Sequence, residues 1–180
     1  EYHSVTEPYV LSSVQEPLGK YENNTMHDAG SNGIDRRNGD MVSALMKAYY
    51  DKTGVPIVAV QASRGGTDTG YFTGDIMTEM QRRYNDAKTY LENSGYTVRK
   101  KFLVWCQGEA DADKGRTDET YKNNTLSIFN NLKTGSEIDD FFIVRTGHYN
   151  INYGLGTGET PSETALSKDA EYLRISTAQK

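Results

Sequence analysis

Two short stretches hold most of the residue types that could do chemistry: "SRGGT" at 63–67 and "WCQGEADAD" at 105–113. In the first, Gly65 and Gly66 let the backbone come close to a ligand and turn N–H groups toward developing negative charge, as an oxyanion hole requires. Taken alone, the pair reads first as a tight turn. In the second, Gln107 and Glu109 lie within four residues of the apolar Trp105, so they should be held more rigidly than surface side chains. A fixed amide can donate to an oxyanion, and a fixed carboxylate can orient an imidazole.

The alternating acids Glu109, Asp111 and Asp113 are spaced like the first ligands of a calcium loop. Gly115 comes one place late, however, and Thr120 stands where the bidentate glutamate belongs. No metal site is expected, and Asp111 and Asp113 read as a solvated acidic turn. Cys106 is the single cysteine, so there is neither a disulfide framework nor a cysteine-based metal site. Among His3, His27 and His148, only His148 should reach the same rim, where it can serve as a general base, although a lone histidine is more often a hydrogen-bonded loop residue. "SRGGT" lacks the Gly-Lys of a phosphate loop, and "GLGTG" at 154–158 fails the dinucleotide fingerprint because Glu159 follows it. No cofactor is expected.

These stretches must be carried by regular elements. From Asp40, apolar residues recur at helical spacing (Met41, Val42, Leu45, Met46, Tyr49) until Gly54, and "VPIVAVQA" at 55–62 then reads as a buried strand. A second helix from about Asp75 carries Ile76, Met80, Tyr84, Ala87 and Leu91 and closes at Gly95. "VRKKFLVWC" predicts a strand ending at Cys106, and a helix from about Asp118 buries Tyr121, Ile128 and Leu132 before Gly135. "DFFIVRT" at 140–146 is a third strand, and a last helix from near Pro161 carries Leu166, Ala170 and Leu173. Residues 1–39, with Pro8, Pro17 and a run of Asn, Asp and Gly, read as a long surface loop.

Strand and helix alternating in this way predict a three-layer α/β/α fold, a flavodoxin-like parallel sheet covered by helices. Ligands bind such sheets at the carboxyl ends of the strands, so the loops after Ala62 and Cys106 should share one rim. The length of 180 residues fits one domain. A net charge of −5, with 25 acids among 20 bases, argues against a phosphate-tracking surface, so no nucleic-acid partner is expected. No stretch approaches the length of a membrane span, and no membrane role is expected.

"VPIVAVQASRGGT", "FLVWCQGEADAD" and "EPLGKYEN" at 16–23 together resemble the sialate O-acetylesterase-like branch of the SGNH hydrolases, which includes carbohydrate esterase family six. The resemblance covers about Glu16 to Gln179. It implies a serine-dependent acetyl-ester hydrolase acting on O-acetylated carbohydrate, without metal or cofactor. Gly65 or Gly66 would donate a backbone N–H to the oxyanion, Gln107 would be a further donor, and Glu109 is a candidate triad acid. Family members also carry a Gly-Gln-Ser-Asn block with the nucleophile and an Asp-x-x-His block with the base. Neither pattern occurs here: Ser31 in "AGSNG" has no preceding apolar strand, Ser63 lacks the setting of an exposed nucleophile, and His148 precedes the last helix. The expectation is a domain over 1–180 lacking its first strand and C-terminal block, with the catalytic serine and histidine outside it and the rest of the parent chain completing the sheet. The competing reading is a non-catalytic carbohydrate-binding relative of the same fold.

Overall fold

The computed structural model describes residues 10–14, 41–60, 62, 66–152, 155–156 and 158–180. His3, His27, Ser31, Ser63, Gly65 and the "EPLGKYEN" segment lie outside the described residues. The chain divides into two compact units, residues 1–64 with 82–98, and residues 65–81 with 99–180. The architecture is mixed α/β, with two parallel two-stranded sheets.

In the first unit, β1 (Val10–Val14) pairs in parallel with β2 (Ile57–Val60), and α1 (Met41–Thr53) contacts both strands. The strand β1 corrects the reading of residues 1–39 as a loop. "VLSSV" has no strict alternation, and its ladder partner is more than forty residues away, so pairing with β2 decides its conformation over local propensity. The helix α2 (Asp75–Asn93) runs from the second unit into the first, and Met77, Met80 and Ala87 are buried along it.

In the second unit, β3 (Phe102–Cys106) and β4 (Asp140–Val144) pair in parallel and in register, Phe102 opposite Asp140 through Cys106 opposite Val144. Aromatic rings fill the space around them. Trp105 meets Phe72 edge-on with centroids 5.2 Å apart and Phe129 at 6.2 Å, and Phe129 stacks on Phe141 at 4.4 Å. Such pairs add about 0.5–1.5 kcal/mol each beyond the area they bury.

The helix α4 (Asp118–Gly135) starts where the Thr117 side chain accepts from the Thr120 N–H, with Asp118 and Glu119 on the positive end of its dipole. Its predicted stripe is the buried one: Tyr121, Ile128 and Leu132 are all inside. For α5 (Glu163–Ala178), Ser162 is the cap, accepting from the Ala165 N–H, and Pro161 sits just before it. Here the expected stripe is on the wrong face, since Leu166 and Leu173 are exposed. The buried residues are Ile175 and Ala178, which join Ala112 and Tyr121 in one cluster. Two residues along a helix is about 200° around it, so the face offered by Leu173 is nearly opposite that of Ile175.

This difference is measurable in urea unfolding. Ile128→Ala should lose about 2–5 kcal/mol, as a fully buried branched residue does, whereas Leu166→Ala should lose well under about 1 kcal/mol.

Candidate active site

The loop after β3 and the stretch 66–69 build the site. After β3, Gln107 is buried, Gly108 follows with φ 147°, and residues 109–113 form a short helix, α3 (Glu109–Asp113), where a solvated turn was expected. Gly108 cannot be another residue. A Cβ placed there would stand 2.7 Å from Thr146 Cγ2, 2.9 Å from Ile175 Cγ2 and 2.9 Å from Gln179 Nε2. The loop after β3 is thus pressed against the residue that follows β4 and against the end of α5.

Asp111 is the main correction to the sequence reading. Far from solvated, its carboxylate has 0% relative exposure. Its Oδ2 accepts from the Thr69 N–H at 2.8 Å and from Gln107 Nε2 at 2.5 Å, and its Oδ1 accepts from the Thr69 hydroxyl at 2.6 Å. Asn124 Nδ2 in turn donates to Thr69 Oγ1 at 3.0 Å. Three donors on one carboxylate supply what solvent no longer does, since an ion left bare in the interior would cost several kcal/mol.

Gln107 uses its amide nitrogen twice. One N–H goes to Asp111 and the other, at 3.2 Å, to the carbonyl of Thr67. Its Oε1 is buried and has no hydrogen-bond partner among the described residues. The amide therefore ties the end of β3 to the stretch 66–69 of the same unit. On that stretch Gly66 is exposed with φ 72°, a conformation that favours glycine.

A neighbouring ion cluster fixes the far side of the same stretch. Asp68 is buried and caps the 3-10 turn Thr69–Thr73, accepting from the Tyr71 N–H at 3.3 Å. Its Oδ2 takes Arg116 NH2 at 2.8 Å, Arg116 Nε at 3.1 Å and Lys114 Nζ at 3.1 Å. Burial alone would raise its pKa. The hydrogen bonds and charges of Arg116 and Lys114 outweigh that and hold the carboxyl below its ordinary value.

A second amide clamps the base of the site. Gln179 Nε2 donates to the Gln107 carbonyl at 2.7 Å and to the Tyr121 hydroxyl at 2.8 Å, while its Oε1 accepts from the Thr146 N–H at 2.8 Å. Tyr121 OH also reaches the Gln107 carbonyl at 3.2 Å, and burial pushes its pKa up.

Glu109 stands exposed at the first position of α3, with no side-chain hydrogen bond among the described residues. Asp113 is exposed, as read from sequence, and is engaged by Lys168 Nζ at 3.3 Å and the Tyr172 hydroxyl at 3.4 Å. Burial first, then the charges of Asp113 and Glu109, push the Tyr172 pKa up to about 12. Burial and Glu109 also raise the Cys106 thiol, which makes it a poor nucleophile at neutral pH. His148 is exposed beyond β4, with Nδ1 3.1 Å from Asp169 Oδ1 on α5, and the Tyr149 N–H donates to the same oxygen at 2.9 Å. It is a hydrogen-bonded loop histidine, as expected. Among the described residues no cluster of His, Cys, Asp and Glu could hold a metal ion.

Sequence reasoning missed Asp68, Thr69, Arg116, Asn124 and Gln179. For Asp68 and Thr69 the available signal was a Thr-Asp-Thr run directly after paired glycines; Arg116, Asn124 and Gln179 carried no local signal.

Gln107 and Gly108, buried at the carboxyl end of β3, are thus held against the stretch 66–69. The chain belongs to the family described as carbohydrate esterase, sialic acid-specific acetylesterase, whose match covers residues 13–171. No curated protein and no solved structure matches the chain. No helix among the described residues is long and apolar enough to cross a membrane.

Two stability predictions follow from this geometry. Gly108→Ala must combine a backbone conformation foreign to L-residues with contacts under 3.0 Å, and should lose at least about 2–4 kcal/mol in chemical denaturation. For Asp68, a depressed folded-state pKa stabilises the fold above its ordinary value of 3.8, and this contribution disappears as pH falls through the lower folded value. Asp68→Asn should therefore flatten the acid limb of a stability-versus-pH curve below about pH 4 while lowering stability at pH 7; an unchanged acid limb would refute the assignment.

Proposed function

We propose that this protein is a serine-dependent acetyl-ester hydrolase that removes O-acetyl groups from carbohydrate, acting on a three-layer α/β/α, SGNH-type scaffold. Family membership supports the carbohydrate ester as substrate class. The observation that carries the reading furthest is Gln107: a buried side-chain amide, fixed by Asp111 at the carboxyl end of β3, beside the Gly66–Thr67 backbone.

In this reading a serine attacks the acetyl carbonyl, and the carbonyl oxygen becomes an oxyanion held by the backbone N–H of Gly65 or Gly66 and by Gln107 Nε2. The general base takes the serine proton as the Oγ–carbon bond forms; collapse of the tetrahedral intermediate breaks the bond to the sugar oxygen, which receives that proton and leaves as a hydroxyl, with acetyl-serine behind. Water then attacks the acyl-enzyme, giving acetate and the free serine. The N–H that Gln107 turns toward the Thr67 carbonyl makes the longer of its two bonds, 3.2 Å, and is the one a stronger acceptor would draw away. Glu109, exposed at the start of α3, can serve as the acid that orients the catalytic imidazole. The Gly-Gln-Ser-Asn and Asp-x-x-His blocks, and the strand that leads into the first of them, belong to parts of the parent chain outside residues 1–180. Those parts complete the sheet and the site.

Removing one oxyanion donor typically lowers turnover on the order of 10²–10³-fold. In the full chain, Gln107→Ala should show a loss of that size in kcat toward an acetylated sugar with its fold intact by circular dichroism. Turnover close to wild type would rule out the oxyanion role.

A further inference from the structure

The proposed reaction gives Asp111 no chemical step, yet it is the most completely buried carboxylate among the described residues, and every donor on it comes from the two rim loops. Thr69 gives it both a backbone N–H and a hydroxyl, and Gln107 gives it one amide proton. A side-chain amide has two protons on one planar nitrogen, so anchoring one of them sets the direction of the other. The second proton is thereby turned to the Thr67 carbonyl, on the same stretch as Gly66. Asn124 locks the Thr69 hydroxyl from the opposite side, which leaves that hydroxyl free to donate only to Asp111. A carboxylate accepts but never donates while ionised, so it also fixes which end of the amide faces it: the nitrogen, not the oxygen.

We infer that Asp111 is a positioning residue that orients the Gln107 amide, and with it the Gly66–Thr67 backbone, so that an N–H faces the site of oxyanion formation. This rests on the oxyanion role proposed for Gln107. A carboxylate is required because an amide at position 111 can present its own N–H to Gln107, letting the Gln107 amide turn over and aim its oxygen at the rim. That reversal would repel the oxyanion instead of stabilising it, while substrate binding in the ground state would change little.

The test is a double-mutant cycle in the full chain, read as kcat and KM for acetate release from an acetylated sugar. Asp111→Asn should lower kcat by about 10²-fold with KM within about threefold, because the affected interaction forms only in the transition state. Combined with Gln107→Ala it should add less than about threefold further loss, since residues acting through one group are not additive. A residue that merely supports the fold would give multiplying losses instead. If Asp111→Asn retains wild-type kcat, or multiplies its loss onto that of Gln107→Ala, the positioning role is overturned while the oxyanion role stands. Should Gln107→Ala itself keep normal turnover, the oxyanion reading fails first. If Asp111→Asn does not fold, Thr69→Val removes one donor from Asp111, and the same cycle decides. A loss of about tenfold absorbed by Gln107→Ala supports the inference, and a multiplying one overturns it.

Discussion

A carboxylate sealed from solvent imposes conditions on everything around it. Asp111 has to find its hydrogen bonds inside the protein, and it finds them on Thr69 and Gln107, residues that follow two different strands. Breaking a buried charge away from its partners typically costs about 3–5 kcal/mol, so neither loop can move without the other. The short helix α3 exists to bring Asp111 inward, and Gly108 lets the chain turn into it where any side chain would strike Thr146, Ile175 or Gln179. Outward from this point the restraints are of the same kind: Asp68 is held by Arg116 and Lys114, and the Gln107 carbonyl by Gln179 and Tyr121.

Such a frame suits chemistry that stabilises charge with fixed dipoles. In the proposed reaction only the Gln107 N–H on the Thr67 carbonyl changes partner, while the bond to Asp111 stays in place. The matched family spans residues 13–171 and so includes the Gln107 arrangement.

Elements whose signals are local were legible in the sequence. The helices α2, α4 and α5 start and stop within a few residues of the caps and glycines that announce them, and Trp105, Ile128 and Leu132 are buried as their spacing requires. Gln107 was legible through its distance from a buried tryptophan, whereas the same distance misplaced Glu109, which turns outward at the start of α3. What escaped depends on partners far along the chain. β1 is a strand because of β2; Asp111 is buried because Thr69, 42 residues earlier, meets it; and Gln179 matters because of Gln107, 72 residues before it. An alternating Glu-Ala-Asp-Ala-Asp run carries no mark that tells an inward acid from an outward one. Asp113, two residues on, is the solvated residue that both were taken to be. On α5 the leucines advertised the wrong face, because the face that is buried is made of Ile175, Ala178 and a polar clamp.

The most direct measurement of the central claim is acetate release by the full chain from O-acetylated sialic acid, followed from the first turnover. An acyl-enzyme mechanism predicts free acetate matched one for one by deacetylated sugar, with an acetyl group trapped on a serine when the reaction is quenched early. Saturable binding of the acetylated sugar with no acetate formed would contradict it, and would make the protein a carbohydrate-binding relative that has kept the rim without the reaction.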